Sequence, residues 1–204
     1  MATPRTIVMM LTILLVVGLL GNALFQSFWS RGQGLALASE APTCQPEADN
    51  PQRVFLPEGS TVMDFSLKTL EGDTITLSRE LAKKPVLLEL FASWCPHCQH
   101  SAKAVEGIYQ KQKKVAVLSI NAGDPPDQPS TTPEFKKQYK VRYPILERPS
   151  EALLNGYCLQ GFPSFFLINQ EGKVVWRFAG TLKDDKLAEL KKAIKALPVS
   201  QATH

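Results

Sequence analysis

The chain has 204 residues, of which 44% are hydrophobic and 21% charged, with a formal net charge of +4. That length suits one globular domain with additional segments. The mild charge, without a dense basic patch interleaved with aromatics, gives nucleic acid no footing, and Lys111, Lys113 and Lys114 read as a solvated helix end.

No residue from Thr6 to Trp29 is charged, and Ile7 to Phe28 is mostly apolar. A run of about 20 such residues is enough to cross a bilayer. Residues 1–30 are therefore expected to be a transmembrane anchor or signal segment, with Ala36-Leu37-Ala38 resembling a cleavage site. Cleavage would leave the rest soluble and secreted or periplasmic. Arg5 and Arg31 flank the run, so the positive-inside rule barely orients it. The 4 cysteines suit an oxidising compartment and place the remainder outside the cytoplasm. Residues 31–57, rich in Gly, Ala, Pro, Ser and Glu without a period, read as a flexible linker.

A globular pattern is expected over residues 58–199, with 200–204 a tail. Val62 to Leu67 and Thr74 to Leu77 predict short strands around Glu71-Gly72-Asp73. Val86 to Phe91 and Val115 to Ile120 are apolar runs of strand length, as in strands buried on both faces. Between them Ala102, Val105, Ile108 and Tyr109 recur at helical spacing, which makes a β-α-β unit with a parallel pair. Residues 121–133 form a proline-rich loop; Thr132-Pro133-Glu134 opens a short helix and Ser150-Glu151 another, ending near Gly156. Phe165 to Ile168 and Val174 to Phe178 predict a hairpin across Asn169–Gly172. Leu187, Leu190, Ile194 and Leu197 mark a last amphipathic helix, started by Asp184 and Asp185 and stopped by Pro198. The fold class is α/β, a central mixed sheet flanked by helices.

The chemistry sits at Cys95-Pro96-His97-Cys98, where a strand gives way to a helix. A helix N-terminus favours an anion, and the thiolate is the form of cysteine that attacks a disulfide. Pro96 suits the first helical position, which makes Cys95 the N-cap and the exposed nucleophile, with Cys98, one turn on, the resolving thiol. His97 adds a donor or positive charge near the Cys95 sulfur. Glu89, six residues before Cys95 in an otherwise apolar strand, is expected to be desolvated and suited to take the Cys98 proton, unless it lies on an exposed edge. Cys44 and Cys158 are expected to pair and tie the linker to the domain; two free thiols, or Cys158 as a third redox thiol, are the alternatives. Cys95, Cys98 and His100 offer three zinc ligands, but no second Cys/His pair stands at suitable spacing. No metal or organic cofactor is expected beyond the Cys95–Cys98 redox disulfide.

Phe91-Ala92-Ser93-Trp94-Cys95, Val117-Leu118-Ser119-Ile120-Asn121, Gly161-Phe162-Pro163-Ser164-Phe165-Phe166-Leu167-Ile168 and Glu171-Gly172-Lys173 together resemble the thioredoxin-like superfamily. Within it they resemble the membrane-anchored thiol–disulfide oxidoreductases of the TlpA/ResA/CcmG type. The resemblance runs from about Gly59 to Leu197. It implies a thioredoxin-like fold and an enzyme exchanging disulfides with exported protein substrates, apocytochrome c and copper-site assembly factors among the family's clients. It also implies a membrane redox partner. Pro163 should be a cis-proline facing the active-site disulfide. Trp94, Pro96, Phe162 and Pro163 should line the substrate groove, with the Phe162 backbone pairing to an extended client segment. Two residues depart from the family pattern. Pro96-His97 is similar to the dipeptide of the oxidant DsbA, and Phe162 is bulkier than the usual threonine or valine. The scaffold implies a reductase and the motif an oxidase. Peroxide reduction is another superfamily activity, but its cysteine is framed by a threonine and a proline where this chain has Ala92 and Leu88. A module that holds Cu(I) or a client without turnover is a further alternative.

Overall fold

A computed structural model describes residues 42–48, 50–125 and 127–198. The expected anchor or signal segment, most of the expected linker and the C-terminal tail lie outside the described residues. Among the described residues no helix is long and apolar enough to cross a membrane.

The centre is a five-stranded sheet in the order β7-β6-β5-β8-β9. Its strands are β5 (Val86–Phe91), β6 (Ala116–Asn121), β7 (Ile145–Glu147), β8 (Ser164–Ile168) and β9 (Val174–Ala179). β5, β6 and β7 run parallel, β8 is antiparallel to β5, and β9 is antiparallel to β8. The central position of β5 explains its composition. All six of its residues are buried, so both faces must be apolar and the usual alternation vanishes. Register pairs Glu89 with Ser119 on one side and with Phe165 on the other. Side chains alternate along a strand, so Leu87, Glu89 and Phe91 share a face. Leu87 and Phe91 belong to the main core cluster, together with Cys98, Ala102, Val105 and Tyr143. The buried carboxylate therefore points to the same side as the helix carrying the cysteines.

That helix, α2 (Pro96–Lys111), is the crossover between β5 and β6, and it buries Cys98, Ser101, Ala102, Val105, Glu106 and Ile108. The last helix, α5 (Asp184–Ala196), adds Leu190 and Ile194 to the same cluster. Short helices α1 (Leu77–Leu81), α3 (Thr132–Tyr139) and α4 (Glu151–Gly156) fill the connections. The Ser150 hydroxyl accepts the Leu153 N–H at 3.2 Å and caps α4.

Several sequence expectations shift. The strand expected over Val62 to Leu67 shrinks to β3 (Ser66–Lys68), which pairs with β4 (Thr74–Thr76). The reason is local. The Asp64 carboxylate accepts the N–H groups of Phe65 at 2.9 Å and Ser78 at 3.0 Å, which diverts the backbone from strand pairing. Leu77 does not end the second strand but begins α1, a helix of 5 residues and too short to show a period. The stretch expected as a linker holds, in its described part, a two-stranded antiparallel sheet of β1 (Gln45–Pro46) and β2 (Val54–Phe55). Strands of two residues carry no alternation to read. They are fixed instead by long-range partners: the Arg177 guanidinium lies 3.4 Å from the Phe55 ring centre and donates to Glu47 at 3.2 Å.

Cys44 and Cys158 form a disulfide that fastens this hairpin to the end of α4, across a sequence separation of 114. Cross-linking so distant a pair constrains the unfolded chain strongly. Replacing both cysteines by serine is expected to lower unfolding stability by about 2–4 kcal/mol, read as a lower denaturant midpoint. An unchanged midpoint would contradict a structural role for the bond.

Candidate active site

β5 ends at Phe91, and the chain turns through Ala92, Ser93 and Trp94 into α2. The turn closes with the Cys95 N–H donating to the Ala92 carbonyl at 3.1 Å. Cys95 is the N-cap of α2 in extended conformation, and Pro96 occupies the first turn. The proline lacks the N–H that this position would leave unpaired. Both cysteines carry free thiols.

Opposite the thiols, the Phe162–Pro163 peptide bond is cis. The Cys95 thiol lies 3.6 Å from the Phe162 carbonyl oxygen, to which it donates. This loop corrects the expectation of an exposed nucleophile. Cys95 is only 6% accessible and Cys98 is fully buried, because the chain entering β8 covers the helix terminus. Trp94 beside them is 61% exposed. The Trp94 indole N–H donates to the Gly123 carbonyl at 3.0 Å, and its ring meets Phe162 edge-on at 6.0 Å. Position 123 requires glycine: a Cβ there would fall 2.2 Å from the Ala92 Cβ.

Beneath the thiols lies a buried polar group. Glu89 is 2% exposed, and the Ser119 hydroxyl donates to its carboxylate at 2.6 Å. Burial pushes the Glu89 carboxyl up to about 7, and the Ser119 hydrogen bond only partly opposes it. Burial also pushes the Cys98 thiol far up, opposed by a hydrogen bond to the Ala92 backbone and reinforced by Cys95 and the Glu89 charge. The Tyr143 hydroxyl is buried without a hydrogen-bond partner among the described residues. Its own burial, with the charges of Glu89, Glu106 and Cys98, holds the phenol protonated well above its ordinary range.

His97 is exposed, and its Nδ1 pairs with the Thr181 hydroxyl at 2.7 Å, at the start of the chain into α5. Among the described residues no hydrogen bond joins His97 to the Cys95 sulfur. The structure thus brings Cys95, Cys98, Trp94, Pro96, Phe162 and Pro163 to one mouth. Glu89 lies below it, and His97 is turned toward Thr181. Cys44 and Cys158 are taken up in their own disulfide. No group of three or more His, Cys, Asp or Glu among the described residues is arranged to hold a metal ion.

Sequence reasoning missed Ser119, although a lone hydroxyl inside the apolar run Val115 to Ile120 is the same signal that marked Glu89. It also missed the brace beneath Trp94. There the Asp124 carboxylate accepts from the Thr131 N–H and hydroxyl, both at 2.7 Å, and from Asn121 Nδ2 at 2.9 Å. Thr131 also meets the Ser93 hydroxyl. No spacing in the chain announces contacts made between two loops.

A two-cysteine motif at the start of a helix leaving a central strand, faced by a cis-proline, defines a thioredoxin-like thiol–disulfide oxidoreductase. The chain belongs to the Redoxin family, whose model matches residues 57–194. It is 30% identical to the thiol-disulfide oxidoreductase ResA of Bacillus subtilis over 140 residues, 68% of this chain and 76% of that protein. It is 25% identical to ResA of a Bacillus cereus strain over 194 residues, 95% of this chain and 99% of that one. Among solved structures it resembles a Chlorobium tepidum protein assigned as the thiol:disulfide interchange protein DsbE. That match has a TM-score of 0.61 at 25% identity and covers 69% of this chain and 97% of the other.

Proposed function

We propose that the enzyme reduces disulfides of exported proteins, tethered by its N-terminal segment with the catalytic domain outside the cytoplasm. The observation that carries this reading is the placement of the Cys95 thiol 3.6 Å from the Phe162 carbonyl, beside the cis Pro163 and above buried Cys98. In the reducing direction the Cys95 thiolate attacks one sulfur of the client disulfide. An S–S bond forms to Cys95, and the client's other sulfur leaves as a thiolate. Cys98 then gives its proton to the Glu89 carboxylate and attacks Cys95. The client's second sulfur is expelled, and the Cys95–Cys98 disulfide has lost two electrons to the client. A thiol held protonated by burial needs such a base, and a carboxyl at about 7 suits the task. Backbone groups beside Pro163 would hold the client as an added strand.

No metal or organic cofactor enters this scheme. A membrane dithiol partner would restore the reduced pair. The reducing direction is supported by the likeness of the scaffold to the TlpA/ResA/CcmG type. Among the described residues His97 pairs with Thr181 and makes no hydrogen bond to the Cys95 sulfur, which leaves only its charge to the oxidising argument from Pro96-His97. Peroxide reduction gains nothing from the geometry, since Ala92 brings no hydroxyl to the thiol.

The Cys95–Cys98 reduction potential tests the direction. A value near that of thioredoxin, about −270 mV, is expected, and one near DsbA's, about −120 mV, would make the enzyme an oxidase.

A further inference from the structure

The β1–β2 hairpin walls off a cavity of about 250 Å³ on the far side of the cis-proline loop. Phe162 and Pro163 line it on the active-site side, and Glu47, Arg53, Phe55 and Arg177 line it on the hairpin side. Phe162 and Pro163 thus form a wall shared between this cavity and the site at Cys95, whose thiol donates to the Phe162 carbonyl at 3.6 Å.

The two arginines are not equivalent. Arg177 is fully engaged: both terminal nitrogens donate to Glu47 at 3.2 Å, and the guanidinium covers the Phe55 ring at 3.4 Å. Arg53 is not. Its guanidinium stands 3.6 Å from Glu47, an ion pair without a hydrogen bond, and its side chain is 55% exposed. Among the described residues the Arg53 side chain makes no hydrogen bond, although its backbone N–H is held by Asn50 at 2.9 Å. Glu47 thus divides one negative charge between two guanidinium groups, which leaves the wall with one positive charge in excess. A planar fork of N–H donors on a fixed backbone matches a carboxylate in bidentate geometry. The disulfide to Cys158, a residue that also lines the cavity, holds the wall in place.

We infer that this cavity is a specificity pocket of the substrate groove, and that Arg53 there receives an acidic side chain of the client polypeptide close to its reactive cysteine. The inference rests on the disulfide-exchange reading, because it takes the groove at Pro163 to be the client's path. The occupant follows from charge: Asp or Glu offers the exposed Arg53 guanidinium a charged acceptor and balances the excess positive charge of the wall, whereas a basic side chain is repelled and an apolar one gains nothing there.

The test uses the full-length protein and acetylated, amidated peptides with one internal disulfide, so that any carboxylate belongs to a side chain. Matched peptides carry Glu, Gln or Lys at each position within three residues of either cysteine. Binding is measured by calorimetry on the Cys95→Ser protein, and exchange on the otherwise wild-type protein. At one position the Glu peptide should bind about tenfold more tightly than the Lys peptide, as a charged hydrogen bond warrants. Arg53→Glu should reverse the order, while the Gln peptide binds both proteins alike. Equal binding of Glu and Lys peptides, or a preference that survives Arg53→Glu, overturns the pocket. If binding follows charge as stated but no peptide exchanges disulfides, the pocket stands and the oxidoreductase reading fails.

Discussion

Glu89→Gln is expected to slow disulfide exchange about a hundredfold or more and, at the same time, to make the protein more stable. Both effects have one cause. A carboxyl sealed between β5, β6 and α2 is costly to ionise, and burial raises it from its ordinary 4.5 to about 7. In the proposed role of base it would act only once ionised. The resolving step in the wild type should therefore quicken as pH rises through about 7, and the glutamine variant should lose that inflection.

The stability effect has the opposite sense. A carboxyl whose folded value lies above its unfolded one favours the native state fully below about 4.5, and that support is lost as pH rises through about 7. At pH 8 the wild type should have lost on the order of 3 kcal/mol that the glutamine variant, neutral throughout, retains. Denaturant unfolding at pH 4 and pH 8 reads this directly. The two proteins should differ little at the lower pH and clearly at the higher. A variant that is slower and equally destabilised at both pH values would assign Glu89 to packing alone.

The second large effect belongs to the thiols themselves. Cys95→Ser should abolish exchange with a protein disulfide such as insulin, since a hydroxyl forms no S–S bond. The Cys98→Ser variant should fail differently. It still attacks through Cys95 but cannot expel the client, so it should collect covalent adducts. The two cysteines differ because only Cys95 reaches the groove: Cys98 is fully buried, its thiol held protonated far above the ordinary range. Folding should be little disturbed in either variant, because the Cys44–Cys158 bond is separate from the redox pair.

How much of this was legible in the chain depended on how local each signal was. β5, β6 and α2 follow from apolar runs and a helical period, and the redox pair from its spacing at their junction. Glu89 was visible as one carboxylate in an apolar strand. The resemblance, not the composition, supplied the facing proline. What stayed illegible depends on contacts between distant segments. The β1–β2 hairpin has two residues per strand and owes its place to Phe55 and Glu47 meeting Arg177. The short β3 follows from a side-chain hydrogen bond at Asp64, which the apolar pattern hides. The burial of Cys95 depends on a loop more than sixty residues away closing over the helix terminus, with Phe162 at its tip. His97 looks like a partner of the thiol when only the motif is in view; its ring is taken by Thr181, a residue 84 positions on.

The most direct test of the account is mass spectrometry of full-length Cys98→Ser protein incubated with an oxidised protein client. The expected result is a one-to-one mixed disulfide that reductant reverses, with the client's cysteine joined to Cys95 and the Cys44–Cys158 bond intact. An adduct at Cys44 or Cys158, or no adduct under conditions where the wild type reduces the client, would contradict it.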